Sequence, residues 1–391
     1  MKPVPYYVLA LAMAVPAVLV GVELPSLFRF QSLALQSDLR GFYSAGYMLR
    51  AGQRRDIYDF PSIRRNQDEK ITADDGVFPF VHPAYEAVFF IPLSLLPYLA
   101  ARVVWAGFNL VLLGLIYRLL RPCIADLSAI GPKWMPPALL LGFMPIAFTI
   151  IEGQDSLVLL LILILVYRRI ESNELQAGLL LSLGMFRFQV LLPIVALFLL
   201  WRSFRLVAGW IAGSAAVLSV SALVVGISAQ VQGYARLLRE LARISSLWPL
   251  LRRMPNLRAL AAVCKLGMAP LVLASLSIFI LAAVAGSRKN AQQRLLLAIT
   301  VSAVVPYYLC FHDLSVLALP LLVATDGAVA RRDWLRAALV SAALSGFSVF
   351  WFTRGKLYLG VLFTLFFLAM QATSLWKQRK NAQPVEVLGS F

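Results

Sequence analysis

Long apolar blocks constrain the fold of this chain more than any other feature of its sequence. A helix needs about 20 apolar residues to cross the hydrocarbon core of a bilayer. Blocks near that length fall at 4–24, 98–120, 135–151, 155–168, 206–227, 266–286, 294–311, 313–326, 335–352 and 356–376. With 60% hydrophobic and only 14% charged residues, the chain fits neither the soluble globular nor the disordered class. The pattern predicts an all-α, polytopic integral membrane protein.

The net charge of +17 does not change that class. In a soluble protein such an excess of Lys and Arg would suggest nucleic acid as a partner. In a membrane protein much of it is loop charge that sets orientation, so we expect the lipid bilayer as a partner and no nucleic acid. Cys123, Cys264 and Cys310 form neither a CxxC motif nor a disulfide framework. The two histidines are too few for a His-rich metal site.

Two further apolar stretches are interrupted. Residues 175–201 are broken by Phe186-Arg187-Phe188 and flanked by basic residues on both sides. Each arm has about 12 residues, or about 18 Å of helix, which is too short to cross. The stretch is therefore predicted to be a partly re-entrant hairpin with Arg187 at its apex. Residues 84–97 are broken by Pro92 and Pro97 and are predicted to form a short helix at the interface.

The distribution of Lys and Arg predicts the orientation. With the N-terminus inside, 17 of these residues fall in cytoplasmic segments and 3 in short external loops. The others lie in long external segments, which count little in the positive-inside rule. Both termini are thus predicted to be cytoplasmic, with about ten to twelve transmembrane or half-spanning helices. The block at 4–24 is longer than a typical signal-peptide core and is predicted to be a retained anchor.

A single transmembrane catalytic domain at 1–380 accounts for these segments, followed by a cytoplasmic tail at 381–391. Its external parts are a first loop at 25–97, predicted to be periplasmic and to contain amphipathic helices, and a second segment at 228–265. No period of 20–50 residues repeats clearly, which excludes a solenoid.

Under this topology the unusual polar residues collect at the outer face. They are Asp38 and His82 in the first loop, Glu152-Gly153-Gln154-Asp155, Arg187 at the hairpin apex, and His312-Asp313. Ionisable groups at membrane depth are costly and suggest a functional site. A carboxylate can act as a general base, and an Arg can hold a phosphate through two hydrogen bonds. The set suits a reaction at the outer bilayer surface on a lipid-linked anionic substrate.

The order and spacing of several short motifs resemble glycosyltransferase family 87, from residue 1 to about 376. The motifs are Asp38, Phe42-Tyr43, Ala45-Gly46, Gly52, Ile57-Tyr58-Asp59, Phe80-Val81-His82-Pro83, Ile91-Pro92-Leu93, Leu96-Pro97, Gly153-Gln154-Asp155-Ser156, Gly178, Phe186-Arg187-Phe188-Gln189, Met254-Pro255-Asn256-Leu257-Arg258, Tyr307 and His312-Asp313. The resemblance rests on the ordered set of motifs and not on any one of them. The chain departs from the family pattern at His82-Pro83-Ala84, where Tyr-Pro-Pro is frequent, and at Arg187, where Lys is frequent.

The resemblance implies a GT-C-like helical bundle in the bacterial inner membrane. It implies transfer of a hexose, typically mannose, from a polyprenyl-phosphate-sugar donor to a glycan or glycolipid acceptor outside the cytoplasm. Asp38 matches the acid that the family uses as catalytic base. Since one displacement inverts the anomeric centre, one essential carboxylate suffices, and no cofactor or metal is expected because an Arg can neutralise a monophosphate.

The predicted roles have plain structural alternatives. Asp38 also fits an N-cap for a helix that begins near Arg40. Arg187 could clamp the donor phosphate, or it could be a snorkelling side chain at a helix end. Arg258 could hold the donor phosphate or belong to a solvated basic loop.

The candidate substrate-binding residues are His82, Tyr43, Gln154, Asp155, His312 and Asp313. Tyr43 also fits an aromatic belt, and Asp155 an N-cap for the next span. His312 and Asp313 could instead close a tight turn, and His82 could simply lie at a wet interface before Pro83.

Two rival functions stay open from the sequence alone. A transporter or flippase for a lipid-linked saccharide would also need intramembrane charges and a re-entrant hairpin. It would place polar residues near the midplane and often shows inverted repeats, whereas here they collect at one face. A structural or assembly subunit would tolerate loss of Asp38.

Overall fold

The computed structural model describes residues 37–72, 76–130, 135–243, 254–340 and 357–381. All regular secondary structure in these ranges is helical, which confirms the all-α prediction. The α-helices are α1 Leu39–Arg50, α2 Phe60–Lys70, α3 Ala84–Ala87, α4 Tyr98–Leu120, α5 Ala125–Ile130, α6 Met135–Gly142, α7 Met144–Glu152, α8 Ser156–Arg169, α9 Glu174–Ser182, α10 Phe188–Leu200, α11 Phe204–Val225, α12 Tyr234–Arg243, α13 Leu257–Val263, α14 Met268–Gly286, α15 Ala291–Ser302, α16 Ala318–Ala330 and α17 Gly360–Asn381. The predicted anchor at 4–24 and most of the predicted span at 335–352 lie outside the described residues.

Several helices are long and apolar enough to cross a membrane, so the chain is a multi-pass membrane protein. Within the described residues four helical segments pass this test, at Tyr98–Ala129, Phe204–Val225, Met268–Gly286 and His312–Ala330. A fifth is possible if α9 and the segment Met185–Leu200, which meet at a 70° bend, form one span. Apolar side chains on these helices face outward, as Val111 (74% exposed) and Leu223 (81% exposed) do. Such faces are suited to contact with lipid.

Some predicted blocks are broken into shorter helices. The block at 135–151 splits at Phe143 into α6 and α7, with Pro145 in the first turn of α7, where its missing N–H costs no hydrogen bond. The block at 294–311 stops being α-helical after Ser302, four residues before Pro306. Proline disfavours helix at the residue before it and cannot donate a backbone hydrogen bond. Hydrophobicity located these segments correctly, but proline set where the helices end.

The first loop folds into a compact unit beside the bundle. The predicted helices are present as α1 and α2, and residues 84–97 form only short helical turns, as the prolines predicted. Leu39, Phe42 and Ile57 are buried in an apolar cluster that also receives Leu237 of α12. Gly46 of α1 lies against the backbone of Phe90, where a Cβ would come within 2.5 Å of the carbonyl oxygen. The loop therefore holds the start of α1 in a fixed place.

Helices α9 and α11 approach each other through glycine. A Cβ at Gly178 would lie 2.0 Å from the Leu206 carbonyl oxygen, and one at Gly209 would lie 2.2 Å from that of Leu175. Small residues permit such close backbone contact between helices in a membrane.

We expect Gly178→Ala to lower the thermal stability of the purified protein in detergent. The added methyl group must push two backbones apart, and overpacking of this kind costs about 1–3 kcal/mol. The matched control is Gly114→Ala in α4, where a Cβ meets nothing within 4 Å. That change should leave stability equal or slightly higher, because Ala favours helix over Gly by about 0.8–1.0 kcal/mol. Equal melting temperatures for the two variants would contradict the close contact.

Candidate active site

A glycine turn between α7 and α8 forms the base of the candidate site. Gly153 ends α7 in the left-handed conformation, with φ +70°, which favours glycine. A Cβ there would also lie 2.8 Å from the Cβ of Leu39 in α1. The turn places Gln154 and Asp155 directly after the end of α7.

The last carbonyls of α7, which lack partners within the helix, accept hydrogen bonds from neighbouring side chains. Ser37 Oγ donates to the Glu152 carbonyl at 2.6 Å, and Trp105 Nε1 donates to the Gly153 carbonyl at 2.9 Å. Ser37 is adjacent to Asp38, so the same contacts that complete α7 hold Asp38 beside the turn.

Asp38 precedes α1 but its side chain makes no capping hydrogen bond. Its carboxylate instead accepts a hydrogen bond from Gln154 Nε2. Burial and, to a smaller extent, the nearby Glu152 carboxylate raise the pKa of the Asp38 carboxyl to about 6, against the lowering effects of His312, Gln154 and Arg187. The N-cap alternative for this side chain is therefore wrong.

Gln154 joins Asp38 to Arg187. Its Nε2 donates to Asp38, and its Oε1 accepts from Arg187 Nη2. The structure thus places the predicted base and the predicted phosphate ligand at one site, with a single amide between them.

Arg187 lies at the bend between α9 and α10 and is only 4% exposed. Its Nη2 lies 2.5 Å from Asp155 Oδ1, and its Nη1 lies 3.3 Å from Asp313 Oδ1. A snorkelling side chain would reach water, so that alternative is wrong. The side chain of Asp155 binds this guanidinium and makes no capping hydrogen bond to α8.

His82 is enclosed behind Asp155. Its ring lies among the rings of Phe42, Phe80 and Phe186, and it is 5% exposed. Its Nδ1 shares a hydrogen bond with Glu86 Oε2.

This enclosure disfavours charge on both members of the His82–Glu86 pair. Burial lowers the pKa of His82 to about 3, and burial raises the pKa of Glu86 well above its usual range. Glu86 was not predicted as a site residue, although its position four residues after His82 was an available signal.

His312 and Asp313 complete the arrangement. His312 Nδ1 lies 2.8 Å from Glu152 Oε2, and Asp313 Oδ2 accepts a hydrogen bond from the Cys310 backbone N–H at 2.8 Å. Asp313 therefore closes a turn and also pairs with Arg187, while its contact with substrate stays a prediction.

Two predicted residues lie to the side of this arrangement. The Tyr43 hydroxyl donates to the Leu96 carbonyl at 2.8 Å, and its ring packs edge-on against Tyr98. The guanidinium of Arg258 stacks 3.4 Å from the centre of the Tyr307 ring and donates to the Tyr307 carbonyl at 3.0 Å.

We call the connected set the polar network. Its members are Asp38, His82, Glu86, Glu152, Gln154, Asp155, Arg187, His312 and Asp313. All are buried except Asp38 and Glu152, which are partly exposed. A substrate can therefore reach the network through these two carboxylates. Among the described residues, three groups of donors could hold a metal ion; each contains one histidine, and two of them share His312.

The fold and the site define a multi-pass α-helical membrane protein with a carboxylate site anchored on a buried arginine. The model of glycosyltransferase family 87 matches residues 80–311, which is more than half of the chain. The chain belongs to that family and is a membrane glycosyltransferase, which uses a sugar donor and an acceptor at a membrane. Asp38, His312 and Asp313 lie outside the matched range.

No curated protein and no solved structure matches the chain.

Proposed function

We propose that this protein transfers a hexose, mannose, from a polyprenyl phosphate to an acceptor hydroxyl on the outer side of a bacterial inner membrane. The supporting observation is the position of Asp38. It is a partly exposed carboxylate at the entrance of a buried network, and Gln154 links it to Arg187.

Asp38 is the proposed base in a single inverting displacement. Its carboxylate takes the proton of the acceptor hydroxyl while that oxygen forms a bond to the anomeric carbon. The bond from the anomeric carbon to the phosphate oxygen breaks, and polyprenyl phosphate leaves with the bonding electron pair. With a pKa of about 6, Asp38 is largely ionised at neutral pH and still basic enough to accept a proton.

Arg258 is the proposed contact for the donor phosphate, since its guanidinium is partly exposed on Tyr307. The phosphate-binding role predicted for Arg187 stays a prediction with an added condition. Its guanidinium is shared by Asp155 and Asp313, so a phosphate must displace one of these carboxylates to reach it. In either case Arg187 orients Gln154 and, through it, Asp38.

The remaining assignments are also proposals. Gln154 and His312, which touch the two partly exposed carboxylates, are closest to an incoming substrate, while His82, Asp155 and Asp313 support them from within. Tyr43 lies to the side of the polar network and would contact substrate only at its edge. The predicted cytoplasmic segments contain 17 Lys and Arg residues and the short external loops contain 3, which supports cytoplasmic termini and an outward-facing site.

The test is an assay of the full chain reconstituted in liposomes. Polyprenyl phosphates carrying labelled mannose, glucose or galactose are offered with a panel of glycolipid acceptors, and products are analysed by mass spectrometry and NMR. We expect a new glycosidic bond whose anomeric configuration is opposite to that of the donor. Retention of configuration would reject the single displacement, and transfer from nucleotide sugars alone would reject the donor class. Movement of intact donor across the bilayer without a new bond would favour the transporter.

A further inference from the structure

We propose that Asp38, Glu152 and His312 bind one divalent cation of the Mn²⁺ type at the accessible end of the polar network. One donor atom from each residue, two carboxylate oxygens and an imidazole nitrogen, lies within 4.8 Å of the others. Metal–ligand distances of about 2.0–2.2 Å place two ligands of one ion up to about 4.4 Å apart. Small side-chain rotations therefore suffice to bring the three donors onto one ion.

The surroundings of His312 point to a cation. Its ring is buried, with Nδ1 at 2.8 Å from Glu152 Oε2 and Nε2 at 3.7 Å from Asp313 Oδ1, and Nε2 has no hydrogen-bond partner. A cation at Nδ1 would take the place of the proton between the ring and Glu152 Oε2. It leaves the Nε2–H directed at Asp313, the usual arrangement around a metal-bound histidine.

The charge balance of the network leads to the same conclusion. The network contains five carboxyl groups, at Asp38, Glu86, Glu152, Asp155 and Asp313, and a single guanidinium at Arg187. Asp155 and Asp313 share that guanidinium, so the accessible pair Asp38 and Glu152 presents negative charge to an incoming substrate. A divalent cation would neutralise these two carboxylates.

The other two donor groups are less suitable. His82, Glu86 and Asp155 are all buried, and Asp155 is already paired with Arg187. In the group of Cys310, His312 and Asp313, the Asp313 carboxylate is occupied by the Cys310 backbone N–H and Arg187. The Asp38–Glu152–His312 group has two partly exposed carboxylates beside a buried histidine.

The role of the cation rests on the proposed function. Three protein ligands leave coordination positions open, which is typical of catalytic rather than structural sites. Oxygens of the donor phosphate would occupy them, and the cation would stabilise the charge that develops as polyprenyl phosphate leaves. Asp38 has two carboxylate oxygens and can bind the cation through one while the other accepts the proton.

Mn²⁺ binding to the purified full chain, measured by electron paramagnetic resonance, tests the site directly. We expect one Mn²⁺ per chain and nitrogen coupling from one imidazole. Glu152→Gln should weaken binding at least about 10–100-fold, the range seen even for outer-shell residues. Asp56→Asn, an exposed acid in the same first loop, is the matched control and should bind as the wild type does.

Absence of a stoichiometric Mn²⁺ signal, or of imidazole nitrogen coupling in the wild type, would overturn the proposal without any variant. So would equal affinity in folded Glu152→Gln. Failure of the two proposals can be told apart. Full hexosyl transfer in the presence of EDTA rejects the cation and leaves the transferase intact. Mn²⁺ bound as expected, without transfer from any polyprenyl phosphate, rejects the donor assignment and leaves the cation site intact.

Discussion

Asp38→Asn is expected to lower kcat for hexosyl transfer by about 10²–10⁴-fold, because a positioned general base contributes a factor of that size. The amide has nearly the same shape, and its oxygen can still accept from Gln154 or bind a cation, so donor binding should be largely retained. The effect should therefore appear in kcat rather than in KM for the donor. The measurement is steady-state transfer by reconstituted protein at several donor concentrations.

The matched control is Asp56→Asn, which removes an exposed carboxylate from the same loop. It should leave both kinetic parameters unchanged. Melting temperatures of both variants check that the fold is intact. Wild-type turnover in Asp38→Asn would refute its assignment as the base.

Arg187→Met is expected to reduce stability by about 3–5 kcal/mol, the cost of removing one partner of a buried ion pair. The substitution keeps an apolar stem of similar length but leaves Asp155 and Asp313 without their common cation. Thermal unfolding in detergent measures the loss. The double variant Arg187→Met with Asp155→Asn should recover part of it, because one of the two uncompensated charges is then gone.

Arg258→Met is the control for loss of a guanidinium as such. Arg258 is partly exposed and stacked on Tyr307, an interaction worth about 0.5–1 kcal/mol at exposed sites. Similar melting temperatures for Arg187→Met and Arg258→Met would show that Arg187 is not the anchor of the network.

Apolar length and proline positions were enough to predict much of the fold. The block at 98–120 became α4, Tyr98–Leu120, and the interruption at Phe186-Arg187-Phe188 became the 70° bend. A helix was predicted near Arg40 and α1 begins at Leu39. Hydrophobicity alone did not predict the end of α15 at Ser302 or the break at Phe143, since apolar residues continue through both.

The residues of the site were easier to predict than their pairing. The free-energy cost of placing an ionisable group at membrane depth identified Asp38, Arg187 and Asp313 as unusual. The sequence alone does not indicate which acid pairs with which base. Arg187 meets Asp155 from 32 residues away. The sequence suggested that the Arg187 guanidinium is free to bind phosphate. In the structure it is already neutralised by Asp155 and Asp313.

The order of these charges along the chain has a consequence for assembly in the membrane. Asp155 is synthesised before Arg187, and Asp313 long after it. Each of these charges is costly alone within a bilayer. A nascent chain that inserts α8, α9 and α10 together brings Asp155 and Arg187 into the membrane at the same time. The two charges can therefore leave the translocation machinery as a neutral pair. Asp313 then joins a pair that is already neutral, before α16 and α17 are added to the bundle.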